Sequence, residues 1–176
     1  MIEGCVREDR ACQYALYKAF AGKMLAVCRR YARNDLEAED ILQEGFIKAF
    51  DHIDRFRNEG SFQGWLHRIM VNTALNHYRS SSYQNEKIGL DMEYDTPFDA
   101  GIIERISGDE LIKLIRTLPE GYRMVFNLFA IEGYSHQEIS EMLGQTGSTS
   151  RTQLAKARKW LQKRVLESQK IEYERK

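Results

Sequence analysis

Apolar residues recur at helical intervals through most of the chain. Between about Asp9 and Tyr31, Ala11, Ala15, Leu16, Ala19, Phe20, Leu25 and Val27 fall mostly three or four residues apart, predicting one long helix with Gly22 as its weak point. Asn34 or Asp35 can cap a second helix, whose first turn carries Glu37, Glu39 and Asp40 where the helix dipole favours anions. Ile41, Leu42, Phe46, Phe50 and Ile53 form its apolar stripe. Gly60 and Ser61 close the next loop, and Ser61 can cap a third helix with Trp65, Leu66, Ile69, Met70, Leu75 and Tyr78 largely on one side. Three helices of this length can share one core.

The periodicity stops at Ser80. From there to about Ile106 the chain is polar, acidic and broken by Pro97 and Gly101, which predicts a flexible linker over 86–106 between domains over 1–85 and 107–176. Helical signals return with a capping box, Ser107 and Glu110, ahead of Leu111, Leu114 and Ile115. Pro119 suits the first turn of a helix bearing Met124, Val125, Leu128 and Phe129 and ending near Gly133. A second capping box, Ser135 with Glu138, opens a short helix that stops at Gly144, and a last helix runs from about Thr149 past Val165. The expected fold class is all-α, two small helical domains joined by the acidic linker.

Composition changes this picture little, and charge distribution changes it more. The 176 residues are 43% hydrophobic, and 26 basic residues balance 26 acidic ones, so total charge gives no sign of a nucleic-acid partner. Locally the balance breaks. From Arg151 to Lys176 nine basic residues stand against three acidic ones, whereas from Glu86 to Glu110 eight acidic residues face only Lys87 and Arg105. Cys5, Cys12 and Cys28 form no CxxC pair and read as reduced thiols. No basic-then-apolar signal pattern opens the chain and no apolar run approaches the roughly 20 residues that span a bilayer, so a cytoplasmic protein without membrane insertion is expected.

The short capped helix ending at Gly144, a turn, and a helix rich in Arg, Lys, Thr and Gln have the proportions of a helix-turn-helix. In that motif the first turns of the second helix reach base edges in the major groove, which places Ser150, Arg151, Thr152 and Gln153 there, with Lys156 and Lys159 further along and Arg158 on phosphate. A basic helix can also be a merely solvated face; the capped helix before it weighs against that. In the third helix, Arg68, Asn72, Thr73, Asn76, His77 and Arg79 suit single-stranded DNA, whose bases stack on rings and offer edges to amides. Trp65 reads as core. The acids Glu37, Asp40 and Glu44 have spacings that a metal nuclease would use, but dipole compensation and a protein-binding face explain them more simply. His52, His67, His77 and His136 have no nucleophile or carboxylate at a catalytic spacing. No catalytic residue, cofactor or metal is expected.

Taken together, EAEDILQEGFIKAF (Glu37 to Phe50), FQGWLHRIMVNTALNHYR (Phe62 to Arg79), LPEGYRMVFNLFAIEGYSHQEISEMLG (Leu118 to Gly144) and STSRTQLAKARKWLQ (Ser148 to Gln162) resemble the extracytoplasmic-function (ECF) sigma factors, the minimal group of the sigma-70 family. The likeness runs in order from near the N-terminus to about Leu166. It implies a promoter-specificity subunit whose partners are core RNA polymerase and promoter DNA, and it admits an anti-sigma factor as a third. It further implies that Asp40, Gln43, Glu44 and Lys48 dock on polymerase. The third helix and the loop near Ser80 to Asn85 would trap melted bases of the -10 element, and the last helix would read the -35 duplex. The acidic linker would thread a basic channel of the polymerase or act as a solvated tether. A free-standing helix-turn-helix regulator is the alternative without this resemblance.

The chain departs from the family pattern in two places. Where many members carry a small-acidic-Gly-Thr run, Thr146, Gly147, Ser148 and Thr149 displace the glycine, leaving the start of the last helix open by a residue or so. Gly45 replaces a larger apolar residue, at about 1 kcal/mol of helix propensity.

Overall fold

Side-chain caps decide where the first helices begin. Asp9 Oδ1 accepts from the backbone N–H of Ala11 at 2.8 Å and of Cys12 at 3.2 Å, opening α2, Arg10–Tyr31. These bonds also hold the Asp9 carboxyl below its ordinary pKa. Asn34, rather than Asp35, caps α3, Asp35–Asp51, accepting from Glu37 N–H at 2.9 Å. Ser61 accepts from Gly64 N–H at 3.1 Å at the start of α4, Phe62–Ser82. Each satisfies donors that the helix itself leaves open. Before them lies α1, Ile2–Val6, too short for a periodic pattern to announce. Gly22 does not break α2.

The computed structural model describes residues 1–82 and 108–174, and every regular element among them is helical. The linker expected over 86–106, residues 83–85 of the loop after α4, and Ser107 of the first capping box lie outside the described residues. The chain divides into two compact units, Met1–Ser82 and Tyr83–Lys176.

In the first unit α2, α3 and α4 pack pairwise around Leu16, Met24, Cys28, Ile41, Leu66, Met70 and Leu75, all at most 1% exposed except Leu75 at 2%. Burial pushes the Cys28 thiol up to about 12, so it stays protonated and inert. The glycine at 45 has a reason here. A Cβ at Gly45 would stand within van der Waals overlap of Met70 Sδ, so the Met70 thioether fills the place of the side chain that Gly45 lacks. The propensity lost on α3 is offset by close packing on α4.

The second unit contains α5, Gly108–Arg116; α6, Glu120–Phe126; α7, His136–Leu143; and α8, Gly147–Glu174. Pro119 sits just before α6 rather than inside it. The helix expected to continue to Gly133 instead widens into a π-helical turn, Asn127–Ile131, marked by Glu132 N–H bonding to Asn127 O at 3.0 Å. The Ser135–Glu138 capping box is complete: Ser135 N–H donates to Glu138 Oε2 at 2.8 Å and Glu138 N–H donates to Ser135 Oγ at 3.3 Å. α7 stops at Gly144, whose φ of +65° is left-handed. Helix α8 begins at Gly147, earlier than expected, because Thr146 Oγ1 accepts from Thr149 N–H at 3.1 Å. Ile115, Met124, Val125, Leu128, Ile139, Ala157 and Leu161 form the core.

The Gly45–Met70 contact is testable by chemical denaturation. Gly45→Leu should cost about 1–3 kcal/mol through overpacking, and Met70→Ala in the same chain should recover part of that loss by opening the volume. Additive losses in the double variant would contradict the contact.

Candidate interfaces for nucleic acid and polymerase

On α8 the described buried positions are Ser150, Leu154, Ala157, Leu161, Gln162 and Val165, which fall on one side of the helix. That phase leaves Arg151, Thr152 and Ala155 facing outward near the helix start, with Lys156 and Lys159 half-buried along the same side. Two of the expected base-reading side chains are not presented in this way. Ser150 is 0% exposed, and its hydroxyl lies 2.9 Å from His136 Nδ1 inside the helix-turn-helix. Gln153 is half-buried. Arg158 is held by an aromatic: its guanidinium carbon stands 5.7 Å from the Phe129 ring centre.

Helix α4 separates its residues just as sharply. Leu66, Met70, Val71, Thr73, Ala74 and Leu75 are buried, while Arg68, Asn72, Asn76 and Arg79 are exposed at intervals of four, four and three. Thr73, expected on the DNA side, is 1% exposed and belongs to the core face. Arg79 Nη1 donates to Asn76 Oδ1 at 3.4 Å, which aligns the end of the exposed stripe. His77 is half-buried and turned toward α3, with Nε2 at 2.5 Å from Glu44 Oε2.

Glu44 also accepts from Lys48 Nζ at 2.5 Å, so the two acceptor oxygens serve two elements. The Lys48 and His77 contacts hold its carboxyl below the ordinary value, against an opposing effect of burial. Glu44, Lys48 and His77, expected on two different interfaces, therefore form one cluster between α3 and α4. The freely presented stripe of α3 consists of Leu36, Asp40, Gln43 and Ile47, with Leu36 71% and Ile47 61% exposed. Those two apolar residues escaped sequence reasoning, although they lie out of phase with buried Ile41, Leu42, Phe46 and Ala49. Glu37, a candidate metal ligand, instead accepts from Arg33 Nη2 at 3.0 Å. Among the described residues no three His, Cys, Asp or Glu side chains converge as a metal site would need, and no helix is long and apolar enough to cross a membrane.

Between the end of α3 and the start of α4 an open cavity of about 330 Å³ is lined by Arg55, Phe56, Arg57, Trp65 and Arg68. Trp65, expected as core, is half-buried: it packs on Phe56 with ring centres 5.7 Å apart and on Phe62 at 5.4 Å while still lining this cavity. Arg55 and Arg57 had no place in the sequence reading. Their signal was an Arg-Phe-Arg triplet just ahead of the Gly60–Ser61 cap.

Comparison with known proteins adds the following. The family model for Sigma-70 region 2 matches residues 16–83, and that for Sigma-70, region 4 matches residues 108–161, together more than half the chain. The ECF RNA polymerase sigma-E factor of Haemophilus influenzae is 29% identical over 94% of this chain and 93% of its own. That of Escherichia coli is 28% identical over 94% and 92%. Among solved structures, the sigma factor RpoE of Bartonella quintana, in complex with the anti-sigma factor NepR, is 18% identical, covers 88% of this chain and 96% of that one, and has a TM-score of 0.49. A helix-turn-helix regulator without polymerase would need only the second unit; a region 2 match over the first unit, in the same chain, is what separates the two readings. The chain belongs to the sigma-70 family, in its extracytoplasmic-function group, and directs RNA polymerase to promoters.

Proposed function

We propose that this sigma factor divides initiation among three outward faces, each fixed by the phase of one helix. Leu36, Asp40, Gln43 and Ile47 on α3 dock on core polymerase, with Glu44 and Lys48 at the edge of the contact. The apolar pair supplies buried area at the two ends of the stripe, and the acid and the amide between them supply charge selection. Arg68, Asn72, Asn76 and Arg79 on α4 hold the separated strand of the -10 element, with His77 beside them. Arg151 and Thr152 read the -35 duplex in the major groove, and Lys156, Arg158 and Lys159 grip its phosphates. The first unit thus melts and the second anchors.

The observation that carries this reading is the exposed stripe of α4. Two amides and two guanidinium groups at intervals of four, four and three serve no core. They match unpaired bases, whose edges accept and donate at once, and the phosphates between them. The cavity beside Trp65 extends the same surface: an aromatic face and three arginines around one opening fit a nucleotide, base on the ring and phosphate on the guanidinium groups. Ser150 and Thr73 are left out of the contact set because both are buried. Binding energy does the work throughout. The chain has no chemistry of its own and acts in the cytoplasm, where the polymerase is.

Two substitutions test the outer faces. Arg151→Ala should weaken binding to the cognate -35 duplex by about 1–3 kcal/mol and relax specificity at one position. An equal loss on every sequence would move Arg151 to the backbone, and no loss would remove it from the interface. Ile47→Ala should weaken association with core polymerase by about 1 kcal/mol or more, chiefly by faster dissociation, while Asp40→Lys should act mainly on the association rate at low salt. Co-purification of both variants with core polymerase at the unsubstituted level would rule out this stripe as the docking face.

A further inference from the structure

His136 begins α7, the first helix of the helix-turn-helix, and its half-buried side chain turns toward α8 and the π-helical turn. Nδ1 lies 2.9 Å from Ser150 Oγ, and Ser150 is 0% exposed on the buried side of the first turn of α8. The imidazole stacks on Phe129 with ring centres 4.5 Å apart and planes 21° from parallel, and Arg158 of α8 stands over the same Phe129 ring at 5.7 Å. The His136 carbonyl oxygen is also close to the backbone of α8, 3.8 Å from where a Cβ on Gly147 would lie. Three elements, the π-helical turn, α7 and α8, therefore meet on one side chain. Burial, with Arg151 and Arg158 nearby, lowers the His136 pKa and keeps the ring neutral at neutral pH.

We propose that His136 is a positioning residue for -35 recognition: through the Ser150 hydroxyl it sets the rotation of the first turn of α8, and so where Arg151 and Thr152 meet base edges. This rests on the -35 reading of α8. A buried hydroxyl one residue before a base-reading arginine is a direct lever on it, because both ride on the same turn. Base-edge hydrogen bonds tolerate little error. A reading side chain must be held within about 0.5 Å and 10–20° of its productive geometry, whereas long side chains on phosphates adapt. Loosening the His136–Ser150 bond should therefore cost discrimination between sequences and leave sequence-independent binding in place.

The test uses the full chain assembled with core polymerase. It compares binding to a promoter it transcribes with binding to the same DNA carrying a scrambled -35 element, across a series of salt concentrations. His136→Phe keeps the stack on Phe129 and removes the ring nitrogens, and Ser150→Ala removes the hydroxyl. Each should lower the preference for the cognate element by roughly 5- to 10-fold, the size of one hydrogen bond, and the double variant should lose no more than either single one. Binding to scrambled DNA and its salt slope should not change. His136→Asn, which can offer an amide near the Nδ1 position, should keep most of the preference.

Additive losses, equal losses on cognate and scrambled DNA, unchanged preference in both single variants, or a folded His136→Asn protein as impaired as His136→Phe would each overturn the proposal. Should His136→Phe not fold, Ser150→Ala and His136→Asn carry the same comparison. Arg151→Ala serves as the reference. If it too leaves the preference intact, the -35 reading fails; if it alone abolishes the preference, only the role of His136 does.

Discussion

Each long helix of this protein has one stripe to bury, and burying it fixes everything the helix can show to a partner. On α3 the constraint is tightest. Ile41, Leu42, Gly45, Phe46 and Ala49 pack inward, and the Gly45 backbone lies so close to Met70 that little rotation of one helix against the other is open. With that phase set, Leu36, Asp40, Gln43 and Ile47 must point outward, and Glu44, at the border, is tied to His77 of α4. The proposed docking face is thus a consequence of core packing.

The same logic governs α4 and α8, and in the proposed division of labour it sets a strand-holding surface on the first unit apart from a duplex-reading one on the second. α4 presents amides and guanidinium groups at helical spacing, which suits flexible, unpaired bases that can adjust to a rigid row of partners. α8 presents short and long polar side chains near a helix start, where a groove about 12 Å wide admits it. Its first turn is tied to α7 by the contact between buried Ser150 and His136, whose ring stacks on Phe129. In the proposed -35 reading, specificity and affinity are carried by different parts of this helix.

Much of this was legible in the residues, and each failure has a physical cause. Asn34, Ser61 and Ser135 announced helix starts because a cap is a local bond between a side chain and a backbone N–H a few residues on. Gly144 announced a stop because a glycine adopts the left-handed conformation, here φ +65°, that ends a helix. Ser150 and Thr73 were misplaced because a small hydroxyl is chemically fit for DNA and sterically fit for a core, and composition cannot choose. Their phase could: Ser150 lies four residues before Leu154, and Thr73 three after Met70, both buried. Leu36 and Ile47 carry no polar group to mark them as contact residues, and the Glu44–His77 bridge joins residues 33 apart in the chain, beyond any local pattern. The π-helical turn left no periodic signature because it is a single turn.

In the proposed division of labour, binding energy alone is converted into promoter choice and strand opening. The most direct measurement is run-off transcription by core polymerase on a genomic promoter library, with and without this protein. The account predicts a discrete set of transcripts that appears only with the protein, with permanganate-reactive, single-stranded thymines confined to the -10 region of each template. Transcripts indistinguishable from those of core polymerase alone would contradict it.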